Sequence, residues 1–194
     1  MIGNMKEEKL AKAKKMMLLF GLLSITMTFA GLTSAYIVSK GRPDWTMDFN
    51  LPAEFFFSTF IIVLSSFTLF IAKNKLVNRK SNNSIFSWVL ITFILGIVFI
   101  IFQFIGFNNI INQGYYFDGA QSAIKTSFIY VLSFLHIVHL VAGLIVLIVL
   151  MVNTKKGKYV NDNLGFNLAS NFWHFLDFLW AVSYTHLTLP TTRL

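Results

Sequence analysis

The chain of 194 residues contains no cysteine, so disulfides, thiolate metal sites and cysteine nucleophiles are excluded. Charge is also scarce: charged residues make up 12% of the sequence, and only 8 residues are acidic. Proline occurs 3 times, and no proline interrupts a long apolar run. A composition so poor in charge lies outside the usual range for soluble domains.

Apolar residues are abundant instead: they make up 56% of the chain and include 22 Phe, and mean hydropathy is +0.66. A hydrocarbon core of about 30 Å needs roughly 20 helical residues. Five runs approach or exceed that length, at 16–38, 53–72, 85–107, 126–152 and 166–182. Lipid-exposed backbone must satisfy its own hydrogen bonds, so the sequence predicts an all-α, polytopic membrane protein with five transmembrane helices.

Basic residues give this predicted bundle an orientation. Twelve of the 16 Lys and Arg residues precede the first run or follow the second and fourth runs. The positive-inside rule therefore places the N-terminus and these two loops in the cytoplasm, and the C-terminus outside. The net charge of +8 lies in short clusters beside apolar runs, which favours contact with anionic lipid over nucleic acid.

Both ends of the chain differ from its middle. Residues 1–15 form a basic cytoplasmic segment, and the run at 16–38 is longer than a signal-peptide core, so we interpret it as a retained span. The transmembrane domain is expected to cover 16–182. Its last run is short, about 25 Å at 1.5 Å per residue, and a Thr-rich segment follows. We interpret residues 183–194 as a tail that is not native to the protein.

Ionisable residues inside the last run are the most informative feature. His174 and Asp177 are three residues apart, so they share one face of a helix. Ionisable groups at membrane depth usually face protein or water and pair with one another. Asp177 therefore either orients a buried His174 or anchors this helix to another helix or subunit.

Other polar residues interrupt the remaining runs. His136 and His139 share one helical face, and either they are metal or haem ligands or they form interhelical hydrogen bonds. A metal site normally needs a third or fourth ligand, and His174 is the only other histidine in the runs. Gln103 is expected to bond across to another helix. Small residues of the first run, among them Gly21 and Gly31, predict close packing against a neighbour.

Taken together, these residues resemble subunit III of the haem-copper terminal oxidases, the cytochrome c and quinol oxidase group, in its short bacterial form with five spans. The most specific match is the Trp-His-Phe-x-Asp signature at Trp173, His174 and Asp177, with Trp180 after it. The family's His-x-x-His followed by Gly is matched by His136, His139 and Gly143. Weaker matches are Leu95-Gly96 leading to Gln103, Thr59 with Leu64 to Thr68, and Phe29-Ala30-Gly31 leading to Tyr36.

The resemblance implies a non-catalytic subunit of a respiratory oxidase in the bacterial inner membrane. It implies that haem and copper belong to subunits I and II, with no cofactor on this chain, and that this subunit stabilises subunit I and binds phospholipid during oxygen reduction and proton pumping. Its expected structural, interhelical or lipid-cleft residues are His136, His139, Trp173, His174, Asp177, Gln103 and Trp180. One departure is Ile25, which stands where many relatives carry a membrane-embedded acid.

Two other functions fit an intramembrane His and Asp. A small transporter or channel could use them as a proton relay, but it would predict inverted repeats or helices broken by Gly or Pro, and the sequence shows no clear internal repeat. A membrane enzyme with its own haem or copper would need a complete ligand set.

Overall fold

The computed structural model describes residues 2–41, 52–114, 124–160 and 163–188, with side chains described from Met5 onward and excluding that of Val160. Five α-helices make up nearly all of it: α1 (Ile2–Ser39), α2 (Ala53–Val77), α3 (Asn82–Asn112), α4 (Ile124–Lys155) and α5 (Leu164–Thr188). A short 3₁₀ turn at Lys158–Val160 is the other regular element in these ranges. The predicted all-α fold class is confirmed.

Four helices form a closed bundle and the fifth lies outside it. α2 and α3 make the most extensive pair, and contacts between α3 and α4, α4 and α5, and α5 and α2 close the ring. α1 rests on α4 and α5, chiefly through two side chains, Phe29 at 3% exposure and Tyr36 at 1%. α2 and α5 therefore meet as neighbours although more than 80 residues separate them in sequence.

The predicted end of the last helix is wrong. α5 has 25 residues, which is about 37 Å at 1.5 Å per residue and therefore long enough to span a membrane. Thr185 and Thr188 continue the helix, and their hydroxyls bond back to carbonyls one turn earlier. That residues 183–194 are foreign to the protein stays a prediction.

Length and apolar composition identify α1 to α4 as candidate membrane spans within the described residues. α5 is less apolar because it carries Asn, Ser, His and Asp side chains, of which Ser170 and Asp177 are buried inside the bundle. The helix that departs most from an apolar span therefore places part of its polar content inside the bundle.

The basic segments gather at one end of the bundle. Lys155, at the end of α4, lies 4.5 Å from the ring centroid of Phe86 near the start of α3. Lys14 of α1 lines the same cleft as Gly165 at the start of α5. The N-terminal half of α1 and the α2–α3 and α4–α5 connections thus share one end, as the positive-inside argument requires.

Gly21 and Gly31 of α1 do not face another helix of this chain, although α1 itself contacts α4 and α5. A Cβ atom added at Gly21 or Gly31 would meet nothing within 4 Å. Close approach occurs instead inside the four-helix ring, where a Cβ at Gly96 would lie 2.8 Å from the Trp173 ring. Since small residues matter where backbones or rings come close, Gly96 is a position where close packing within this chain requires glycine.

Candidate functional site

Two buried indoles join α5 to α2. Trp173 Nε1 donates a hydrogen bond of 3.0 Å to Ser65 Oγ, and Trp180 Nε1 donates one of 2.9 Å to Thr59 Oγ1. Each indole is 1% exposed, so its N–H needs a protein acceptor. Ser65 and Thr59 can accept because each donates its own hydroxyl hydrogen to a carbonyl of α2. The indoles are seven residues apart on α5 and their acceptors are six residues apart on α2, so both bonds lie along one contact line between the two helices, here called the α2–α5 seam.

The hydroxyl of Ser66 on α2 connects the two ionisable side chains of α5, His174 and Asp177. Ser66 Oγ donates to Asp177 Oδ2 over 2.5 Å and lies 2.8 Å from His174 Nδ1. Because the hydroxyl has a single hydrogen, which it gives to Asp177, His174 must carry its proton on Nδ1 and donate it to Ser66. The predicted contact between His174 and Asp177 is therefore made through α2, and Asp177 orients His174 only indirectly.

Hydroxyl and amide side chains also join α3 to α2. Gln103 Nε2 donates to Ser58 Oγ over 2.9 Å, so the predicted bond from Gln103 to another helix is confirmed. Thr68 and Thr92 share a further hydroxyl bond of 2.8 Å. All four side chains are buried, with exposures of 6% or less. Bonds of this kind hold membrane helices together where no hydrophobic force acts between them.

The two histidines of α4 lie apart from this seam. His136 is fully buried, with its ring centroid 5.0 Å from that of Trp180 and 5.7 Å from that of Phe99. His139 Nδ1 is 2.7 Å from the Leu135 carbonyl of its own helix. Neither histidine forms an interhelical hydrogen bond to a described residue, so the interhelical bonding expected of them is not what this structure contains.

The histidines do not assemble into a ligand set. His136 and His139 both face the ring of Phe29, whereas His174 is held by Ser66 on α2. In the part of the chain that the structure describes, no three His, Asp or Glu side chains are grouped so that they could hold a metal ion. The described geometry suits packing and hydrogen bonding between helices.

Glycines of the signature segments make room for the Trp173 ring. At Gly96 an added Cβ would lie 2.8 Å from Trp173 Cη2 and 2.9 Å from Leu144 Cδ2, and at Gly143 it would lie 3.0 Å from Leu176 Cδ1. Real Cβ contacts under 3.0 Å require the neighbours to move. Trp173 therefore reaches Ser65 because α3 and α4 carry no side chain at these two positions.

Two surface clefts run along α1. One has a volume of about 430 Å³ and is lined by apolar side chains of α1, α4 and α5 together with Lys14. The other, of about 400 Å³, lies between α1 and α5 beside Phe29 and Phe178. Both are open at the surface of the bundle and are lined largely by apolar side chains.

The α2 hydroxyls are the residues whose role the sequence did not reveal. Ser58, Thr59, Ser65 and Ser66 stand out in the sequence as small or hydroxyl residues, but nothing there pairs them with particular partners. One signal was available: Ser58 and Ser65, Thr59 and Ser66, and Trp173 and Trp180 are each seven residues apart. Equal spacings on two helices are typical of a shared seam.

Comparison with known proteins gives a consistent result. The model of the family "Cytochrome c oxidase subunit III" matches residues 7–189. The chain is 30% identical to cytochrome bo(3) ubiquinol oxidase subunit 3 of Pseudomonas aeruginosa, over 84% of this chain and 78% of that protein. It is also 30% identical to cytochrome c oxidase subunit 3 of Bacillus sp. strain PS3, over 82% of this chain and 77% of that protein.

Proposed function

This chain belongs to the cytochrome c oxidase subunit III family, and we propose that it is the non-catalytic subunit III of a bacterial haem-copper respiratory oxidase. In that role it sits in the inner membrane with its N-terminus in the cytoplasm. It packs against subunits I and II, which carry haem and copper and pass electrons from cytochrome c or quinol to oxygen. The family match over residues 7–189 is the observation that carries the proposal.

The polar side chains of the signature segments support a structural role. Trp173, His174, Asp177 and Trp180 all bond to hydroxyls of α2, and Gln103 bonds to Ser58. Each bond holds a helix of this chain in place. In this proposal the bundle is a rigid body that presents a fixed surface to subunit I and takes no electron itself.

Phospholipid binding is the second part of the proposed role. The two clefts along α1 offer apolar surfaces against which acyl chains can lie, and Lys14 lines one of them at the basic end of the bundle. A lysine near the membrane surface attracts the anionic phosphate of a lipid headgroup. Native mass spectrometry of the complex should detect phospholipid that is lost more readily from Lys14→Ala than from Lys9→Ala, since Lys9 is exposed outside the cleft.

Asp177→Asn tests whether this chain has a structural role while other subunits hold haem and copper. The variant keeps the size of the side chain but leaves one acceptor oxygen where the carboxyl group has two, so it weakens the hydrogen bonding to Ser66. We expect the haem spectrum of the assembled oxidase to be unchanged while this subunit is lost from the complex more readily in detergent. Asn171→Ala on the exposed face of α5 is the control. Loss of haem or copper without loss of the subunit would contradict the proposal.

Purification from native membranes tests the assignment as a whole. The chain should co-purify with two larger oxidase subunits and with a haem spectrum that belongs to them. If instead the chain purifies alone and carries haem or reduces oxygen, the proposed function is wrong.

A further inference from the structure

Three buried polar side chains on α3 and α4 have atoms without a hydrogen-bond partner among the described residues. They are Gln103 Oε1, Ser133 Oγ and both ring nitrogens of His136, and each of these residues is 0% exposed. Buried polar atoms in native proteins nearly always have a partner in protein or ordered water. Four such atoms in one region therefore call for a common explanation.

Ring contacts show that these side chains lie together. Phe99 of α3 contacts His136 of α4 with ring centroids 5.7 Å apart, and Phe107 contacts Tyr130 with centroids 5.3 Å apart. The two helices run antiparallel, so residues between these contacts meet in register. Gln103 is midway between Phe99 and Phe107, and Ser133 is midway between His136 and Tyr130. Both lie at the same level, one helical turn from His136.

The direction of the Gln103 amide supports this placement. Its Nε2 donates to Ser58 of α2, and the amide oxygen is the atom left over. On the far side the His136 ring is closed in by the rings of Phe99 and Trp180. By the register of α3 and α4, Gln103 and Ser133 therefore lie within about one helical turn of His136, and each of the three side chains has a buried atom without a partner among the described residues.

We propose that an ordered water molecule is bound between α3 and α4 at Gln103, Ser133 and His136. The water donates one hydrogen to Gln103 Oε1 and bonds to Ser133 Oγ and to one ring nitrogen of His136. Either it donates its second hydrogen to Ser133 Oγ and accepts from the N–H of His136, or it donates that hydrogen to the unprotonated nitrogen of His136 and accepts from the Ser133 hydroxyl. Buried waters typically make about three such bonds. This inference does not depend on the proposed function.

The chemistry of the site favours water over a cation. An amide oxygen, a hydroxyl and an imidazole offer neutral acceptors and donors, and no carboxylate among the described residues is grouped with histidines there. A bound cation would be buried with no opposite charge to compensate it, which is costly. Water satisfies acceptors and donors together and carries no charge.

A map of the full chain in the complex with which it purifies, at a resolution that shows ordered water, tests the proposal directly. We expect density within about 2.7–3.2 Å of Gln103 Oε1 and of either Ser133 Oγ or a ring nitrogen of His136. If Gln103 Oε1 bonds directly to Ser133 or His136 and no density lies between them, the proposal is wrong. Density with coordination by more than four protein oxygens would also overturn it.

A double-mutant cycle gives an independent readout. Gln103→Leu and Ser133→Ala each remove one group that holds the water, so together they should lower the melting temperature by less than the sum of the single shifts. The control pair is Gln103→Leu with Thr154→Ala, because Thr154 is a buried α4 residue whose hydroxyl already bonds to Leu150. That pair should be additive. Additivity in both pairs would contradict a shared water.

Discussion

Ser66 is a single hydroxyl with two partners on another helix, and it shows what the polar side chains of this chain do at the scale of one residue. It receives the N–H of His174 and donates to Asp177, and Asp177 is only 3% exposed. An ionisable group at membrane depth is costly unless a neighbour bonds to it, and Ser66 supplies one such bond, while Asp177 Oδ1 has no partner among the described residues. Each side chain of the seam is therefore stable only in the presence of the facing helix.

Ser66→Ala removes a partner from both His174 and Asp177 at once. Leaving a buried acceptor or donor unsatisfied costs about 1–3 kcal/mol, so we expect a clear fall in the thermal midpoint at which the subunit dissociates or unfolds. Ser87→Ala is the matched control, because the Ser87 hydroxyl bonds only to a carbonyl of its own helix; it should change stability by less than about 0.5 kcal/mol. Equal effects of the two substitutions would show that Ser66 has no bridging role.

At the scale of the element, the position of α5 depends on glycines in the neighbouring helices α3 and α4 as well as on its own side chains. The Trp173 ring fits against Gly96 of α3 and Gly143 of α4, and only in that position does its N–H meet Ser65. The same helix carries the His174 and Asp177 pair to α2. A change on α3 can therefore disturb a hydrogen bond between α5 and α2.

Gly96→Ala should destabilise the bundle. The new methyl group would stand 2.8 Å from Trp173 Cη2, and overpacking of this kind costs about 1–3 kcal/mol. Displacement of the ring should also weaken its bond to Ser65, which tryptophan fluorescence and the thermal midpoint would report. Gly31→Ala, where an added Cβ meets nothing within 4 Å, should leave both unchanged. If the two variants behave alike, Trp173 does not need the space at Gly96.

At the scale of the whole molecule, four helices form a closed ring and α1 lies against two of them. The interior contains most of the buried hydroxyl and amide groups, while large apolar side chains such as Phe56, Phe60 and Phe67 are more than half exposed. This distribution suits a body surrounded by lipid and by other apolar subunits. The basic connections at one end give the body a direction across the membrane.

Because the chain has no native cysteine, single introduced cysteines can report which end of the bundle faces the cytoplasm. Cysteine at Lys80, in the exposed turn between α2 and α3, should react with a membrane-impermeant maleimide only after the cells are permeabilised. Cysteine at Gly41, exposed just after α1 at the opposite end, should react in intact spheroplasts. The reverse pattern would mean that the N-terminus lies outside.

Much of the fold follows from composition and spacing. The apolar runs predict α1 to α4 because a bilayer leaves a helix few alternatives, and each predicted run lies inside its helix. The end of α5 was predicted too early, because the threonines after Val182 lower the apolar character without preventing helix formation. Threonine hydroxyls bond back to the helix itself, and composition does not record that.

The sequence shows which polar side chains interrupt the apolar runs: the histidines, Asp177 and the signature around Trp173 are visible without coordinates. Their partners, and the role of the α2 hydroxyls, are seen only in the folded chain. Ser66 lies between His174 and Asp177, Ser65 and Thr59 accept from the indoles, and among the described residues His136 contacts aromatic rings without a side-chain hydrogen bond. The physical reason is that helical periodicity fixes which residues share a face of one helix, whereas the partner on another helix depends on packing between segments far apart in the chain.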